Sequence, residues 1–323
     1  MTVLVTGGAG YIGSHTVRVL RSLDERVVVI DSLERGREEA LLGAPFVRGD
    51  IADETLVERV MRDHSVTDIV HFAAYKSAGE SMQRPGMYWQ NNVQGTIHLM
   101  EAAVRAGVQR VVFSSSAAVY GNPVSVPVDE TALLAPANVY AETKAVMERV
   151  IDWYGRTHGL HWASLRYFNA AGAADDGSLG EDWSITTNLV PLVMKAALGA
   201  GPPVQVLGDD YPTPDGTGVR DYVHVEDLAA AHVAALDHLR RGGDDVTLNL
   251  GTGRGSSVLD VLRATEAVHG APVPHEMVAR RAGDPAVVYA DASLAERVLQ
   301  WRAVRGLEQI IESAYRWHAT HSR

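Results

Sequence analysis

Cysteine is missing from all 323 residues. Its absence excludes disulfides, thiolate nucleophiles and cysteine-ligated metal. Long apolar runs are missing too. Although 46% of the chain is hydrophobic, no stretch approaches the roughly 20 residues that a membrane-spanning helix needs. Positive charge is scarce, with 29 lysines and arginines against 40 carboxylates and a net charge of -11. That balance, spread along the chain, argues against nucleic acid or an anionic membrane as partner. Histidine is plentiful, but it forms no ligand pattern. His158 and His161, or His318 and His321, are spaced for one helix face, yet no carboxylate or cysteine pattern completes a site. No metal is expected. The chain opens on an apolar strand pattern, Val3-Leu4-Val5, with no basic leader. A cytoplasmic soluble enzyme is therefore expected.

What the chain does have is alternation. Val3 to Thr6, Val27 to Ile30, Ile69 to Ala73, Arg110 to Ser114 and Trp162 to Phe168 read as buried strands rich in β-branched residues. Between them, Ser14 to Leu23 and Asn91 to Ala106 carry apolar positions at helical spacing. The pattern predicts an α/β fold, a doubly wound (Rossmann) parallel sheet with helices on both faces. Near Asn169 the texture changes: Ala170 to Trp183 reads as a polar loop, and Gly199 to Thr217 is rich in glycine and proline. Shorter elements follow, including Thr247 to Leu250 and a helix over Val258 to Glu266. The expected division is a dinucleotide-binding domain over residues 1–168 and a smaller α/β substrate-binding domain over 169–323, part of which returns to the first. No internal repeat or low-complexity tract is present.

Gly7, Gly10 and Gly13 follow a strand and open a helix, the context in which a glycine triplet cradles a dinucleotide. Gly7 permits the tight turn, Gly10 the approach of backbone to a pyrophosphate, and Gly13 close helix–sheet packing. The helix N-terminus supplies oriented N–H groups and partial positive charge. Asp31, at the end of the next strand, is placed to accept hydrogen bonds from the adenosine ribose, which favours NAD over NADP. Arg35 and Arg37 lie close behind and keep NADP open. Asp50 is a candidate adenine-side contact, with a plain turn as the alternative.

Tyr140 and Lys144 stand at i and i+4, so a helix places them on one face. A free phenol has a pKa near 10. A neighbouring ammonium and an oxidised nicotinamide would favour the phenolate and make it a base. Ser116, at the C-terminal end of a sheet strand, can hydrogen-bond the same substrate oxygen.

The cradle, the Ser114-Ser115-Ser116 run and Tyr140-x-x-x-Lys144 resemble the extended short-chain dehydrogenase/reductase superfamily. Further segments resemble its UDP-galactose (UDP-glucose) 4-epimerase family: His71-Phe72-Ala73, Gly79-Glu80-Ser81, Leu165-Arg166-Tyr167-Phe168-Asn169, Asp215-Gly216-Thr217-Gly218-Val219-Arg220-Asp221-Tyr222 and Ala290-Asp291-Ala292-Ser293. The likeness runs nearly end to end, and the run around Arg220 is more specific than the cradle. It implies NAD as a tightly held cofactor, a UDP-hexose substrate, a 4-keto sugar intermediate and a homodimer. The dimer interface would be a four-helix one, built from Asn91 to Ala106 and Asn138 to Arg156.

By position, the resemblance implies Tyr140 as base, Lys144 as the residue that tunes it, and Ser116 as partner on the sugar 4-hydroxyl. Cofactor contacts are implied at Tyr11, Ile12, Asp31, Asp50, Ile51, Phe72, Ala73, Lys76, Asn91 and Phe168. Asn169, Asn188 and Leu189 match positions that hold the nucleotide-sugar. Arg220 and Arg281 match the positive groups on its diphosphate, where a bidentate guanidinium suits phosphate, and Asp284 matches a uridine-ribose contact. A plain surface salt bridge is the alternative for each arginine.

Three positions depart from the family. Ala118 stands where a threonine is common, Thr187 where an asparagine often precedes Asn188, and Val288 where bacterial members carry a tyrosine. The last bears on the sugar 2-substituent: valine leaves room for an N-acetyl group, unless it fills core or Tyr289 swings into the gap. A 4,6-dehydratase would need an acid–base pair after the serine, and Ala117-Ala118 supplies none. A UDP-uronate epimerase or decarboxylase, and a cofactor-sensing module without turnover, stay open.

Overall fold

The computed structural model describes residues 1–184, 187–281 and 283–321. The first half alternates strand and helix. Its strands are β1 (Thr2–Thr6), β2 (Arg26–Asp31), β3 (Phe46–Arg48), β4 (Val66–His71), β5 (Arg110–Ser114) and β6 (His161–Tyr167). Its helices are α1 (Tyr11–Ser22), α2 (Glu54–Asp63), α3 (Ala78–Gln83), α4 (Pro85–Tyr88), α5 (Gly95–Ala106) and α6 (Val139–His158). A π-helical turn, Trp89–Gln94, leads into α5, and a short 3₁₀ turn, Ala117–Tyr120, follows β5.

The second half begins with β7 (Asn169–Ala171), α7 (Leu189–Ala197), β8 (Val204–Leu207), β9 (Val219–Arg220) and β10 (Tyr222–His224). Next come α8 (Val225–Arg240), β11 (Val246–Leu250), β12 (Ser256–Ser257) and α9 (Val258–His269). The chain ends through β13 (His275–Val278), β14 (Val287–Val288), α10 (Ser293–Leu299) and α11 (Leu307–His321).

Seven strands form one parallel sheet in the order β3-β2-β1-β4-β5-β6-β11. The expected doubly wound α/β fold is the one adopted. Val3, Leu4 and Val5 are all fully buried because both faces of the sheet are covered. Their side chains alternate between two cores. Val3 and Val5 join Val17, Leu20, Leu228 and Leu236 under α1 and α8. Leu4 joins Val57, Met61, Leu99, Met147 and Ile151 under α2, α5 and α6. Winding reverses between β1 and β4, so the C-terminal ends of these strands border a crevice where open α/β sheets bind ligands.

β11 comes from the second half and completes the first sheet, pairing Leu250 with Tyr167. Several expectations need adjusting. Ala170 and Ala171, expected to begin a polar loop, instead belong with Asn169 to a strand that pairs with β10, and the Asn169 N–H donates to the Asp221 carbonyl at 2.9 Å. β4 ends at His71, two residues before the expected Ala73. His158 and His161 do not share a helix face: Gly159, at φ 70°, stops α6 and His161 starts β6. His318 and His321 do share α11, where they stack on Trp183 and Trp317. Among the described residues no metal-binding group of His, Asp or Glu forms.

Candidate active site

β1 delivers the glycine run to the middle of the sheet's C-terminal edge. A Cβ on Gly7, itself at φ 70°, would stand 2.6 Å from the Ala73 nitrogen, and one on Gly13 would stand 2.3 Å from the Gly7 carbonyl oxygen. Both positions admit only hydrogen. A Cβ on Gly10 would meet nothing within 4 Å except the Gly7 carbonyl oxygen, at 3.3 Å. Gly10 is also the N-cap of α1, and having no side chain it leaves that helix end without a side-chain cap of its own. Backbone N–H groups and the helix dipole thus face an approachable surface, which fits a pyrophosphate. The Asp31 carboxylate sits beside this loop and accepts N–H bonds from Ala9 and Leu33, each at 2.9 Å. Burial raises its pKa and those two bonds oppose the rise.

The other cofactor candidates cluster around the same edge. The Phe72 N–H donates to the Thr6 carbonyl at 2.9 Å, and its ring packs on His232. Ala73 faces Gly7. The Tyr11 hydroxyl donates to the Gly172 carbonyl at 2.6 Å, pinning the start of α1 to the loop after β7. Asp50 accepts the Ala52 N–H at 2.8 Å, and Ile51 is buried. Asn91 lies in the π-helical turn and donates to Asn92, whose side chain in turn holds the Tyr75 backbone and the Thr143 hydroxyl. Ile12 is half-buried on the sheet, and Phe168 packs beside Ala117 and Val288.

Asn138 caps α6 through the Ala141 N–H, which orients the next two turns of the helix. Tyr140 and Lys144 then face the end of β5. The Lys144 ammonium donates to the Ser114 carbonyl at 2.8 Å and lies 4.8 Å from the Phe113 ring centre. Ser116 caps the 3₁₀ turn by accepting the Ala118 N–H at 3.2 Å. All three proposed catalytic side chains are buried. Burial raises the Tyr140 pKa, and the hydrogen bond with Ser116 lowers it. Burial pulls Lys144 down to about 7, while the Glu148 charge raises it. Without a cofactor the balance is a raised phenol, and the expectation of a phenolate rests on the ammonium together with an oxidised nicotinamide. An oxidised nicotinamide is the remaining source of positive charge.

The substrate-side candidates come from β7, the start of α7, β9, β14 and the segment before β14. Asn169 donates its side-chain amide to the Asp221 carbonyl at 3.3 Å. Asn188 and Leu189 begin α7, and Thr187 precedes them in an exposed position. Arg220 is largely buried, which lowers its pKa, while the Asp284 charge raises it. Arg281 is exposed and forms a bidentate pair with Asp284, at 2.9 to 3.1 Å. That salt bridge is the plain alternative weighed for Arg281. Val288 pairs in register with Arg220 and is buried with Ala117, Val119, Tyr120, Val128 and Ala145. A Cβ on Gly255 would stand 3.5 Å from the Tyr289 ring, so this tyrosine points to Gly255 rather than into the Val288 cluster.

Two carboxylates escaped the sequence reading. Glu181, nearly buried, takes the Lys76 ammonium at 3.1 Å and the Asn188 amide at 2.8 Å on one oxygen. It joins a cofactor candidate to a substrate candidate 112 positions apart in the chain (188 minus 76). Asp221 accepts the N–H groups of Thr252, Gly253 and Ala290 and the Thr252 hydroxyl, gathering three loops behind Arg220. Partners so distant in sequence leave no local signal.

Residues 3–251 match the NAD dependent epimerase/dehydratase family. The chain is 44% identical to the UDP-glucose 4-epimerase of Halalkalibacterium halodurans, over 99% of this chain and 96% of that one. A crystal structure of UDP-glucose-4-epimerase from Stenotrophomonas maltophila, with bound NAD and formylated UDP-arabinopyranose, superposes with a TM-score of 0.97 at 46% identity, covering 100% and 99% of the two chains. The UDP-Glc/GlcNAc 4-epimerase of Campylobacter jejuni superposes with a TM-score of 0.87 at 38% identity, covering 99% of each chain.

Proposed function

The chain belongs to the NAD dependent epimerase/dehydratase family, and from that premise we propose that it interconverts UDP-glucose and UDP-galactose by NAD-dependent epimerisation at C4. One observation carries the reading. Ser116, Tyr140 and Lys144 converge at the end of β5, on the C-terminal edge of the sheet that also carries the glycine cradle, in a chain that matches UDP-glucose 4-epimerases over nearly its whole length. Bound NAD would supply the hydride-accepting and hydride-returning chemistry at sugar C4. Gly7, Gly10, Gly13, Tyr11, Ile12, Asp31, Asp50, Ile51, Phe72, Ala73, Lys76, Asn91 and Phe168 would hold it. The Tyr140 phenolate takes the 4-hydroxyl proton, Ser116 hydrogen-bonds the same oxygen, and Lys144 steadies the negative charge on Tyr140. The 4-keto sugar turns about its phosphate link, and the tyrosine gives its proton back to the new 4-oxygen.

Arg220 and Arg281 grip the diphosphate while this happens, and Asp284 meets the uridine ribose. That role requires Arg281 to leave its carboxylate partner or to share it. Asn169, Asn188 and Leu189 hold the nucleotide-sugar. In this division residues 1–168 bind the cofactor and 169–323 mainly the substrate, with β11 serving the first sheet. A homodimer joined through α5 and α6 belongs to the same reading, supported by the exposed Ile97 and Trp153 on those helices. So does a cytoplasmic location; among the described residues no helix is long and apolar enough to cross a membrane. Incubating the purified protein with UDP-galactose and NAD and assaying for UDP-glucose tests the proposal. No UDP-glucose formed would overturn it.

A further inference from the structure

Lys144 and Glu148 are one helical turn apart on α6, and the carboxylate of Glu148 is the hub of a buried polar chain. Arg166 donates to it twice, Nε at 2.9 Å and Nη2 at 2.6 Å. The Ser115 hydroxyl donates to it at 2.5 Å. Beyond Arg166 the chain continues through the Tyr120 hydroxyl at 2.9 Å, then Asn249 at 2.7 Å and the Val128 carbonyl at 2.9 Å. Ser115, Glu148, Arg166, Tyr120 and Asn249 are all buried. None of the five touches the space where cofactor or substrate is proposed to react, yet Ser115 lies between the Ser114 carbonyl that holds Lys144 and the Ser116 side chain.

We propose that Glu148, gripped by Arg166, is a positioning residue for the Tyr140–Lys144 pair: it places a carboxylate one helical turn from Lys144, and its bond to Ser115 fixes the strand end that carries Ser114 and Ser116. The proposal deepens the epimerase reading and rests on it for the role of Lys144. Burial pulls Lys144 down to about 7, and the Glu148 charge raises it. The other groups facing this lysine do not do so. His71 on β4 is pushed by burial to about 3, and the Lys144 charge lowers it further. His232 on α8 is pushed by burial to about 4, with Lys144 again lowering it. Both imidazoles are therefore neutral at working pH. Tyr140 on α6 and Tyr167 on β6 are phenols raised by burial. Arg166 on β6 is a cation; burial lowers it, and its bonds to Glu148 outweigh that and raise it. Glu148 is thus the negative charge that favours the ammonium.

Removing that charge has a signed consequence. In Glu148→Gln the Arg166 cation is left without its counter-charge, so positive charge is harder to keep on Lys144 and negative charge easier to keep on Tyr140. Both limbs of a pH–rate profile should move to lower pH. Simple loosening of the helix would lower kcat and leave the limbs in place. The chain has three lysines, Lys76, Lys144 and Lys195, so a protein labelled with ¹⁵N-lysine and ¹³C-lysine gives three side-chain signals, and the Lys144→Met variant assigns one. The expected result is a Lys144 titration midpoint lower in Glu148→Gln than in wild type, with a smaller shift of the same sign in the Glu148→Gln/Arg166→Gln double variant. The double variant retains charge balance and serves if the single one does not fold. A Lys144 midpoint unchanged in the variants overturns the proposal. Absence of UDP-galactose turnover in wild type, with the midpoint shift present, sinks the epimerase reading and leaves the Glu148–Lys144 coupling standing.

Discussion

The Asp31 carboxylate accepts the Ala9 N–H at 2.9 Å. A residue expected to read the ribose therefore also braces the glycine cradle from beneath. Two substitutions separate the roles. Asp31→Asn keeps an acceptor for Ala9 and loses the charge that repels a 2′-phosphate. Asp31→Ala leaves the Ala9 N–H unpaired at a cost of ~1–3 kcal/mol. Wild type is expected to carry NAD through gel filtration, because an internal redox cycle gains nothing from exchange. The Asn variant should lose preference for NAD over NADP with little change in urea denaturation, and the Ala variant should lose both. An unchanged cofactor preference in both variants would mean that the ribose is read elsewhere.

Tyr140→Phe keeps the ring and removes the proton acceptor. Turnover of UDP-galactose should fall by roughly 10²–10⁴, the usual contribution of a placed acid–base group, while binding of NAD and UDP stays near wild type. Stopped assays with isothermal titration of UDP measure both. A variant as fast as wild type would remove Tyr140 as the base.

What the sequence made legible was local. A strand, three glycines and a helix lie within a dozen residues, and a four-residue spacing puts Tyr140 and Lys144 on one face before any fold is known. What it hid was non-local. Nothing around Arg166 in the chain announces that it meets Glu148, and nothing near Glu181 announces Lys76. Thr247 to Leu250 was visible as a short element, but its place beside β6 depends on α8 crossing the sheet first. Ala170 and Ala171 read as the start of a loop because the polar, glycine-containing stretch after them hides a short pairing with distant β10. The Tyr140 phenol shows the same limit in electrostatics: the motif places an ammonium nearby, but the burial that raises the phenol is revealed only by the fold.

The opposite edge of the sheet offers a control. Asp68 on β4 is fully buried and pairs with Arg110 at 3.0 Å and Arg240 at 2.9 Å, and Arg240 also reaches Glu25 at 2.6 Å. Asp68→Asn leaves two poorly exposed guanidinium groups short of counter-charge. Breaking a buried pair in this way costs about 3–5 kcal/mol, which urea denaturation would register. Activity per folded molecule should hold, since Asp68 lies near the N-terminal end of its strand, away from Ser116 and Tyr140. A variant that stays stable but loses kcat would contradict this separation.

We propose that Val288 limits the width of the sugar pocket. It is buried in one cluster with Ala117, and Phe168 packs against that cluster. Filling core and limiting the sugar's 2-substituent are therefore compatible roles for one side chain. Tyr289 does not take up the space, because its ring lies toward Gly255. We expect UDP-N-acetylglucosamine and UDP-N-acetylgalactosamine to be interconverted alongside the plain hexoses. Val288→Tyr adds a ring to a packed wall, and overpacking of that kind costs ~1–3 kcal/mol. The N-acetyl activity should fall by roughly 5- to 150-fold, with UDP-galactose turnover spared. Comparing kcat/KM for both substrates in both proteins measures the effect. If wild type cannot turn over UDP-N-acetylglucosamine, Val288 is core alone; if the tyrosine variant loses both activities equally, the wall has collapsed and the residue sets no preference.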